Sequence, residues 1–592
     1  MDKVKIKINN HEYEANKDVT ILEACRDAAF DIPTLCYMKE INAIGSCRIC
    51  LVEVKGARSM PAACVQPIHE GMEILTNTPK VQNSRKANLE LLLSDHDKDC
   101  LSCIRNQNCE LQKMCADYGV DDENRFAGEM NKYPLEDDNS SIVRNNNKCI
   151  KCRRCVATCK KIQDIAVIGL NNRGFDTSIG CAFEAELKDV PCVLCGQCIE
   201  SCPVGALYEK DDTAAVWDAI ADPDIYVAVC AAPSIRVTLG ECFGGEPGEF
   251  VEGKLAAALK RLGFSGVYDM DFTADLTVME EANELIERIK GGGKLPGGKL
   301  PLITSCSPGW VKYCEHYFPE FIENLSTCKS PQQMFGAIYK THFAKKLGLD
   351  PKKIFFVSIV PCTAKKYEAA REGQSAAGEG IRDVDVALTT RELGRMINKA
   401  GIIFDKLPDE KFDSLIDTGT GAGVIFGASG GVMEAALRTA AETLGETLEK
   451  VEFEEVRGYK GVRRKTYKLG DLEVNVAVAG GIASAKELLN SIKNGEDNLH
   501  FVEVMACKGG CVNGGGQPVQ PIATRNFGEL WKKRSSGLYH NDKGKDIRKS
   551  HESPLIKAVY DEFLGKPGSE VAHNVLHTHY VERGKHMKHE IK

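Results

Sequence analysis

CIKCRRCVATC at residues 149–159 and CVLCGQCIESCP at residues 192–203 repeat one spacing, C-x2-C-x2-C-x3-C, with Cys149 and Cys192 standing 43 residues apart. Repetition of so small a unit predicts a duplicated module. Thiols at gaps of two and three residues are cluster ligands rather than disulfide partners, and in paired runs of this kind the fourth cysteine of each run serves the other cluster. On that pattern Cys149, Cys152, Cys155 and Cys202 hold one 4Fe-4S centre, and Cys192, Cys195, Cys198 and Cys159 hold the other. Around the first run lie Arg144, Lys148, Lys151, Arg153, Arg154, Lys160 and Lys161, with no acid until Asp164. They read either as a solvated face that offsets cluster charge or as a docking patch for an acidic electron carrier.

Upstream, His96, Cys100, Cys103 and Cys109 form H-x3-C-x2-C-x5-C, a mixed imidazole and thiolate set suited to a further 4Fe-4S cluster, although Asp95, Asp97 and Asp99 are also what a solvated loop carries. Further forward, Cys36, Cys47, Cys50 and Cys64 give C-x10-C-x2-C-x13-C in a stretch of alternating apolar and polar residues (VKIKIN, ICLVEV). Four thiolates in a small sheet domain suit a 2Fe-2S cluster; zinc is the other metal such a set holds.

The whole chain has 592 residues, so several cores are expected. Apolar residues at 43% and charged residues at 27% exclude a disordered or fibrous protein. A net charge of -8 argues against nucleic acid as partner. No apolar run approaches the ~18 residues needed to span a bilayer, and MDKVKIKINN lacks the features of a secretory signal, so no membrane association and a cytoplasmic location are expected. In a reducing compartment 26 cysteines point to metal clusters.

Behind residue 215 the pattern changes to β-branched runs separated by helical stretches: IYVAVCAA, KLPLIT, KIFFVSIVP, VDVALTT, EVNVAVAGG and HFVEVMA. That alternation predicts parallel sheets covered by helices. Three cysteine segments each follow such a run directly: ITSCSPGW (303–310), VPCTAKKYE (360–368) and VMACKGGCVNGGGQP (504–518). Ligands of open parallel sheets bind beyond the carboxyl ends of the strands, so these segments are expected to converge on one pocket.

In this order, behind the cysteine groups in front, the three segments resemble the signature motifs of iron-only (FeFe) hydrogenases, and the similarity runs over essentially the whole chain. The resemblance implies interconversion of dihydrogen with protons and electrons at an H-cluster, a 4Fe-4S cubane joined through a cysteine thiolate to a di-iron unit carrying carbon monoxide, cyanide and a bridging dithiolate. It implies that Cys362, Cys507 and Cys511 hold the cubane with Cys511 as the bridge, that Lys365 faces a cyanide, and that Met505 packs against the di-iron unit. Ala232, Pro233, Ser234 and Gln332 would line the pocket, and Cys306, Glu281, Ser326 and Glu284 would carry protons. Glu281 and Glu284 sit three apart in VMEEANELIERI, on one helix face. The fold implied is multidomain, α+β in front and α/β behind: a β-grasp 2Fe-2S ferredoxin domain (1–78), a one-His three-Cys 4Fe-4S domain (79–138), a two-cluster bacterial-type ferredoxin domain (139–210), an α/β H-cluster catalytic domain (211–524) and a helical small-subunit-like tail (525–592).

The first signature departs from the family, which has adjacent cysteines where this chain reads Cys306-Ser307. Either the Ser307 oxygen is the fourth cubane ligand, or Cys306 moves in to ligate and the proton relay changes; Cys306 is the ligand favoured here, because a thiolate is the better partner for iron than an alcohol, although the alignment points to Ser307. Val360 stands where many relatives have methionine. The front modules resemble part of the large iron-sulfur subunit of respiratory complex I, which implies flavin- and NAD(P)-binding partners with a small 2Fe-2S subunit, as in electron-bifurcating hydrogenases. A single-chain enzyme working with ferredoxin, a hydrogen sensor, and a non-catalytic relay or iron-sulfur assembly protein are the competing readings. No flavin or nicotinamide site is read in this chain: G-x4-G-K from Gly293 lacks the Ser or Thr of a phosphate loop, and GTGAGVIFGASGG (419–431) lacks a dinucleotide context. His573, His577, His579, His586 and His589 read as docking or solvation. Seven further cysteines, at 25, 115, 181, 230, 242, 314 and 328, read as buried thiols.

Overall fold

The computed structural model describes residues 2–291, 298–414, 419–443, 451–459, 461–469, 472–521 and 527–585. His586, His589, most of the loop from Gly293 and the expected boundary at 524 lie outside them.

In the front module β1 (Lys3–Ile8) buries alternate residues Val4, Ile6 and Ile8. It pairs antiparallel with β2 (His11–Asn16) and parallel with β4 (Glu73–Leu75), which pairs with β3 (Glu53–Val54), giving the order β2-β1-β4-β3. The helix Ile21–Asp27 packs across this sheet and starts at a capping box between Thr20 and Glu23. Next, Thr78 caps the helix Pro79–Leu93 with proline at its first turn. The repeated module consists of two short helices, Arg154–Lys161 and Gln197–Ser201, with two ribbons: β5 (Ile142–Arg144) on β8 (Leu207–Glu209), and β6 (Gly169–Asn171) on β7 (Ser178–Gly180).

The rear half holds two four-stranded sheets. β9 (Tyr226–Ala231), β10 (Gly266–Asp269), β12 (Ile354–Val360) and β13 (Val386–Thr389) form an all-parallel sheet in the order β10-β9-β12-β13. Its central strands are buried on both faces, which is why IFFVSIV is continuously apolar. The second sheet runs β11 (Leu302–Ile303), β16 (Phe501–Met505), β15 (Leu472–Gly480), β14 (Val462–Leu469). Here the expectation of parallel strands needs correcting, because β14 pairs antiparallel with β15. β14, VRRKTYKL, closes the sheet with cationic side chains, a composition that discourages further strand pairing at an edge.

The basic residues of the first cluster run do not form the expected free patch. Arg154 is 1% exposed and donates to both oxygens of Glu110; Arg144 pairs with Glu136, Lys148 with Asp97 and Lys151 with Asp95. Arg153, Lys160 and Lys161 remain on the surface, Lys161 with its Nζ on the Ile41 carbonyl. Five of the seven remaining cysteines are buried, whereas Cys115 and Cys242 are half-buried. No described helix is long and apolar enough to cross a membrane.

One guanidinium ties the relay module to the rear half. Arg391 donates to Glu209 from Nε and Nη2 (3.0 and 2.7 Å), to Glu200 (2.6 Å), and to the carbonyls of Gly515 and Gln517 (2.8 and 2.6 Å). Its partners Glu200 and Glu209 are themselves buried, and although Arg395 also pairs with Glu209 at 2.6 Å, removing the Arg391 cation leaves two buried carboxylates with less counter-charge. Arg391→Met should destabilise the junction by about 3–5 kcal/mol, read as a lower first unfolding transition in calorimetry.

Candidate active site and the thiol groups leading to it

The three rear cysteine segments sit at the carboxyl ends of β11, β12 and β16 and meet at a pocket whose empty space, counted together with the open solvent at its mouth, is about 740 Å³. Cys306, Ser307, Cys362, Cys507 and Cys511 line it together with Lys365, Met505, Ala232, Pro233, Ser234 and Gln332, so every residue expected at the pocket is there. The rest of the wall is apolar, including Met270, Ala274, Val360 and Phe426. Glycine permits the backbone to fold this tightly: at Gly510 (φ +95°) an added Cβ would lie 2.6 Å from Ser429 N, and at Gly514 2.2 Å from the Pro361 carbonyl.

Charge in this largely apolar pocket is held at fixed points. Lys365 Nζ donates to the Cys306 carbonyl (3.0 Å) and to Glu368 Oε2 (2.8 Å), which also accepts from Ser330 Oγ and Gln332 Nε2, both at 2.7 Å. Gln332 Oε1 is buried without a hydrogen-bond partner. Ser307 precedes the helix Pro308–Tyr317 yet caps no helical N–H; its Oγ accepts from Ala506 N (3.2 Å), beside Cys507. The Cys306 thiol is pushed well above the usual thiol range by burial, and Glu281 is the charged group that affects it most.

Glu281 and Glu284 lie on the helix Asp271–Lys290. Neither oxygen of Glu281 has a hydrogen-bond partner among the described residues, and burial, reinforced by Glu284, pushes its carboxyl up to about 8. Ser326 Oγ donates to Glu284 Oε2 at 2.9 Å, and Arg288 grips the other oxygen at 2.5 Å. Ser326 and Glu284 both act on Glu281, and Glu281 on Cys306, so the four residues expected to move protons lie near one another.

Three of the four front groups close up in the same way. Cys36 faces Cys47 and Cys64, and Cys50 faces Cys64. Cys149, Cys152, Cys155 and Cys202 line one cavity, while Cys159 joins Cys192, Cys195 and Cys198. His96 is buried with Nδ1 unpartnered, and burial holds it down to about 4, so its imidazole is neutral and free to ligate. Cys103 Sγ lies against Gly205, and Cys109 Sγ lies 3.8 Å from the Pro203 carbonyl, beside Cys202. Asn42 Nδ2 donates to the carbonyls of both Cys36 (2.7 Å) and Cys152 (3.1 Å).

The cluster run of Cys192 touches the active-site loop. Gln197 Nε2 donates to the Asn513 carbonyl (2.8 Å) and lies 3.4 Å from Cys507 Sγ; Thr363 Oγ1 donates to the Leu194 carbonyl (2.7 Å). A Cβ on Gly515 would fall 2.1 Å from the Cys195 carbonyl. The spacing of cysteines does not reveal these contacts, and the sequence reading also missed Phe426 and Gly427, which come from the discounted Gly419–Gly431 segment; its glycine density is the one signal that could have found them.

Several groups fit iron in this arrangement: buried thiols with no disulfide among them, an apolar cavity large enough for a cluster, and an unpaired amide and an ammonium at its wall.

Comparison with known proteins adds the following. Residues 225–515 match the C-terminal domain of the iron only hydrogenase large subunit, and 528–583 the iron hydrogenase small subunit. Residues 1–79 match a 2Fe-2S iron-sulfur cluster binding domain, 85–124 the iron-sulfur binding region of NADH-ubiquinone oxidoreductase-G, and 140–208 the ferredoxin-like domain of NADH-quinone oxidoreductase subunit 3. The chain is 48% identical over 592 residues to NADP-reducing hydrogenase subunit HndD of Solidesulfovibrio fructosivorans, covering 98% of this chain and 100% of that one. It is 41% identical over 578 residues to iron hydrogenase 1 of Clostridium pasteurianum, covering 97% and 99%. A solved structure of a variant FeFe-hydrogenase HydA1 from Chlamydomonas reinhardtii superposes with a TM-score of 0.57 at 37% identity, over 63% of this chain and 100% of that one.

Glu281→Gln keeps the shape but removes the titratable carboxyl expected to carry protons. Hydrogen turnover should fall by about 10²–10⁴, with the metal content unchanged by elemental analysis. Gly515→Ala should slow electron delivery from reduced front clusters in stopped-flow measurements, because the loop must move off Cys195.

Proposed function

The chain belongs to the iron-only (FeFe) hydrogenase family, and from that premise we propose how its residues interconvert dihydrogen with protons and electrons. The convergence of Cys362, Cys507, Cys511 and the Cys306-Ser307 pair on one apolar pocket beside Lys365 and Glu281 carries the reading. Cys362, Cys507 and Cys511 would hold the cubane of the H-cluster, Cys511 in the bridging role. When bound, the H-cluster supplies the metal chemistry that cleaves and forms dihydrogen.

The chain's own groups do the rest. The apolar wall with Met505 keeps water out, so the ammonium of Lys365, fixed by the Cys306 carbonyl and Glu368, acts on anionic ligands at full strength. Glu281, protonated up to about pH 8, can both take and give a proton at neutral pH. It exchanges with Cys306 on the pocket side and, through Ser326, with Glu284 on the outer side. Cys306, favoured from the sequence as the fourth cubane ligand, is read here instead as a proton-carrying thiol, because the bond from Ala506 N turns Ser307 Oγ toward the Cys507 loop and Glu281 is the charged group that acts most on Cys306; ligation by Cys306 is the second reading.

Cys159, Cys192, Cys195 and Cys198 would hold the cluster nearest this pocket, against the Gly515 backbone, and Cys149, Cys152, Cys155 and Cys202 the next; together they would supply electron transfer. The thiols of the 2Fe-2S group, joined to the relay module by Asn42, and the His96 set, whose Cys109 lies by Pro203, would hold the outer two. The match to NADH oxidoreductase modules and the NADP-reducing relative support flavin- and NAD(P)-binding partner subunits in a hetero-oligomer, with ferredoxin as a further electron partner.

Infrared spectra of the matured, anaerobic protein should show bands of iron-bound carbon monoxide and cyanide; an absence of such bands would leave only a relay. Cys306→Ala should keep a four-iron cubane by Mössbauer spectroscopy while turnover falls by about 10²–10⁴. Loss of the cubane would instead make Cys306 its ligand. Native mass spectrometry, and NADP reduction by hydrogen with and without co-purified subunits, tests the partner assignment.

A further inference from the structure

The helix Pro308–Tyr317 starts directly behind Cys306-Ser307 and reaches the relay module through one lysine. Lys312 is 7% exposed, and its Nζ donates to the Cys192 carbonyl at 2.6 Å. Its other neighbour is the face of Tyr367, whose ring centroid lies 4.9 Å from Nζ. Among the described residues no carboxylate pairs with it. The other buried lysines each have one: Lys148 pairs with Asp97, Lys329 with Asp383, Lys340 with Asp385, and Lys366 with Asp212 and Glu392. A buried ammonium without counter-charge is costly, and an aromatic face offsets its charge only in part.

The surroundings add to the imbalance. Arg371 donates to both oxygens of Glu315 (2.7 and 3.1 Å) and Arg583 to Oε2 (2.6 Å), and their guanidinium carbons stand 5.8 and 5.6 Å from the centroid of the same Tyr367 ring. Glu315 is the one carboxylate, among the described residues, that pairs with either arginine. Three cations therefore share one acid, which leaves two positive charges over beside Cys192. Burial pushes the Lys312 ammonium below the usual lysine range, and the charge acting most in its favour is the Cys192 thiolate, ahead of Glu315.

Four thiolates around a 4Fe-4S core make an anionic group, and each electron taken up there without a proton adds one negative charge. A fixed cation stabilises the added charge and so makes reduction easier. We propose that Lys312, backed by Arg371 and Arg583, is the counter-charge of the cluster that Cys159, Cys192, Cys195 and Cys198 would hold, and that it raises the reduction potential of that cluster. Lys312 is thus a positioning residue for electrons: those leaving the pocket during hydrogen oxidation meet a first acceptor made easier to reduce. A plain tie between the helix and the Cys192 loop is the competing role.

The inference rests on the ligand set proposed for that cluster. Lys312→Gln keeps a donor for the Cys192 carbonyl and removes the charge, whereas Lys312→Arg keeps the charge. The anaerobic, matured full chains are compared by potentiometric titration followed by electron paramagnetic resonance, with the 2Fe-2S signal as internal reference. In Lys312→Gln one four-iron component should move to lower potential, its reduced-to-oxidised ratio at the wild-type midpoint falling about tenfold, or ~59 mV. Lys312→Arg should restore it, and the 2Fe-2S signal should stay in place. Arg583→Gln, which leaves Glu315 paired with Arg371, should move the same component less far in the same direction, and it decides the matter if Lys312→Gln loses iron. No movement, movement to higher potential, or an equal shift in Lys312→Arg overturns the proposal. A wild type whose iron content is short by one four-iron cluster would instead sink the ligand set, and this inference with it.

Discussion

The meeting of two glycine backbones, at Gly196 and Gly515, is the constraint on which the other parts depend. A Cβ on Gly196 would lie 2.9 Å from the Gly515 carbonyl, and one on Gly515 would lie 2.5 Å from the Gly196 carbonyl carbon. With no side chains in between, the relay thiols reach the pocket wall itself, and Gln197 lies within 3.4 Å of Cys507 Sγ. Everything at this seam faces low dielectric, so the groups that position it are paired: Arg391 with Glu200 and Glu209, Lys366 with Asp212 and Glu392.

The same economy of water shapes the proton side. Burial that would be costly for an unpartnered carboxylate is what brings Glu281 into the neutral range, while Glu284, gripped by Arg288 and reached by Ser326, is fully partnered. Two carboxylates one turn apart thus play unequal roles because their surroundings differ, although the sequence shows them as equivalent neighbours on a helix face.

Much of this was legible in the chain itself. Ligand sets of iron-sulfur groups are local, so spacing alone marked the cysteines at 149–202, and strands followed directly by Cys306, Cys362 and Cys507 marked the pocket. The rest depended on distance in sequence. His577 finds its partners 250 and 297 residues away, at Thr327 and Glu280, so no spacing could announce them. The basic residues around Cys152 looked like a surface patch because their acids, Glu110, Glu136, Asp95 and Asp97, stand in other stretches. Gly419–Gly431 was set aside for want of a dinucleotide context, and its glycines answer instead to backbone crowding: a Cβ on Gly431 would sit 1.8 Å from the Ile425 carbonyl. Edge strand β14 was hidden by its cationic composition, which suits the solvent side of a sheet and resembles a loop when read alone.

Arg391 also bears on how such chains can be recombined. A relay module transplanted from another protein without acids at the positions of Glu200 and Glu209 would leave a guanidinium enclosed against two carbonyls with no counter-charge. Grafts across this seam therefore succeed only when the acidic pair travels with the clusters, which makes the graftable unit larger than either module.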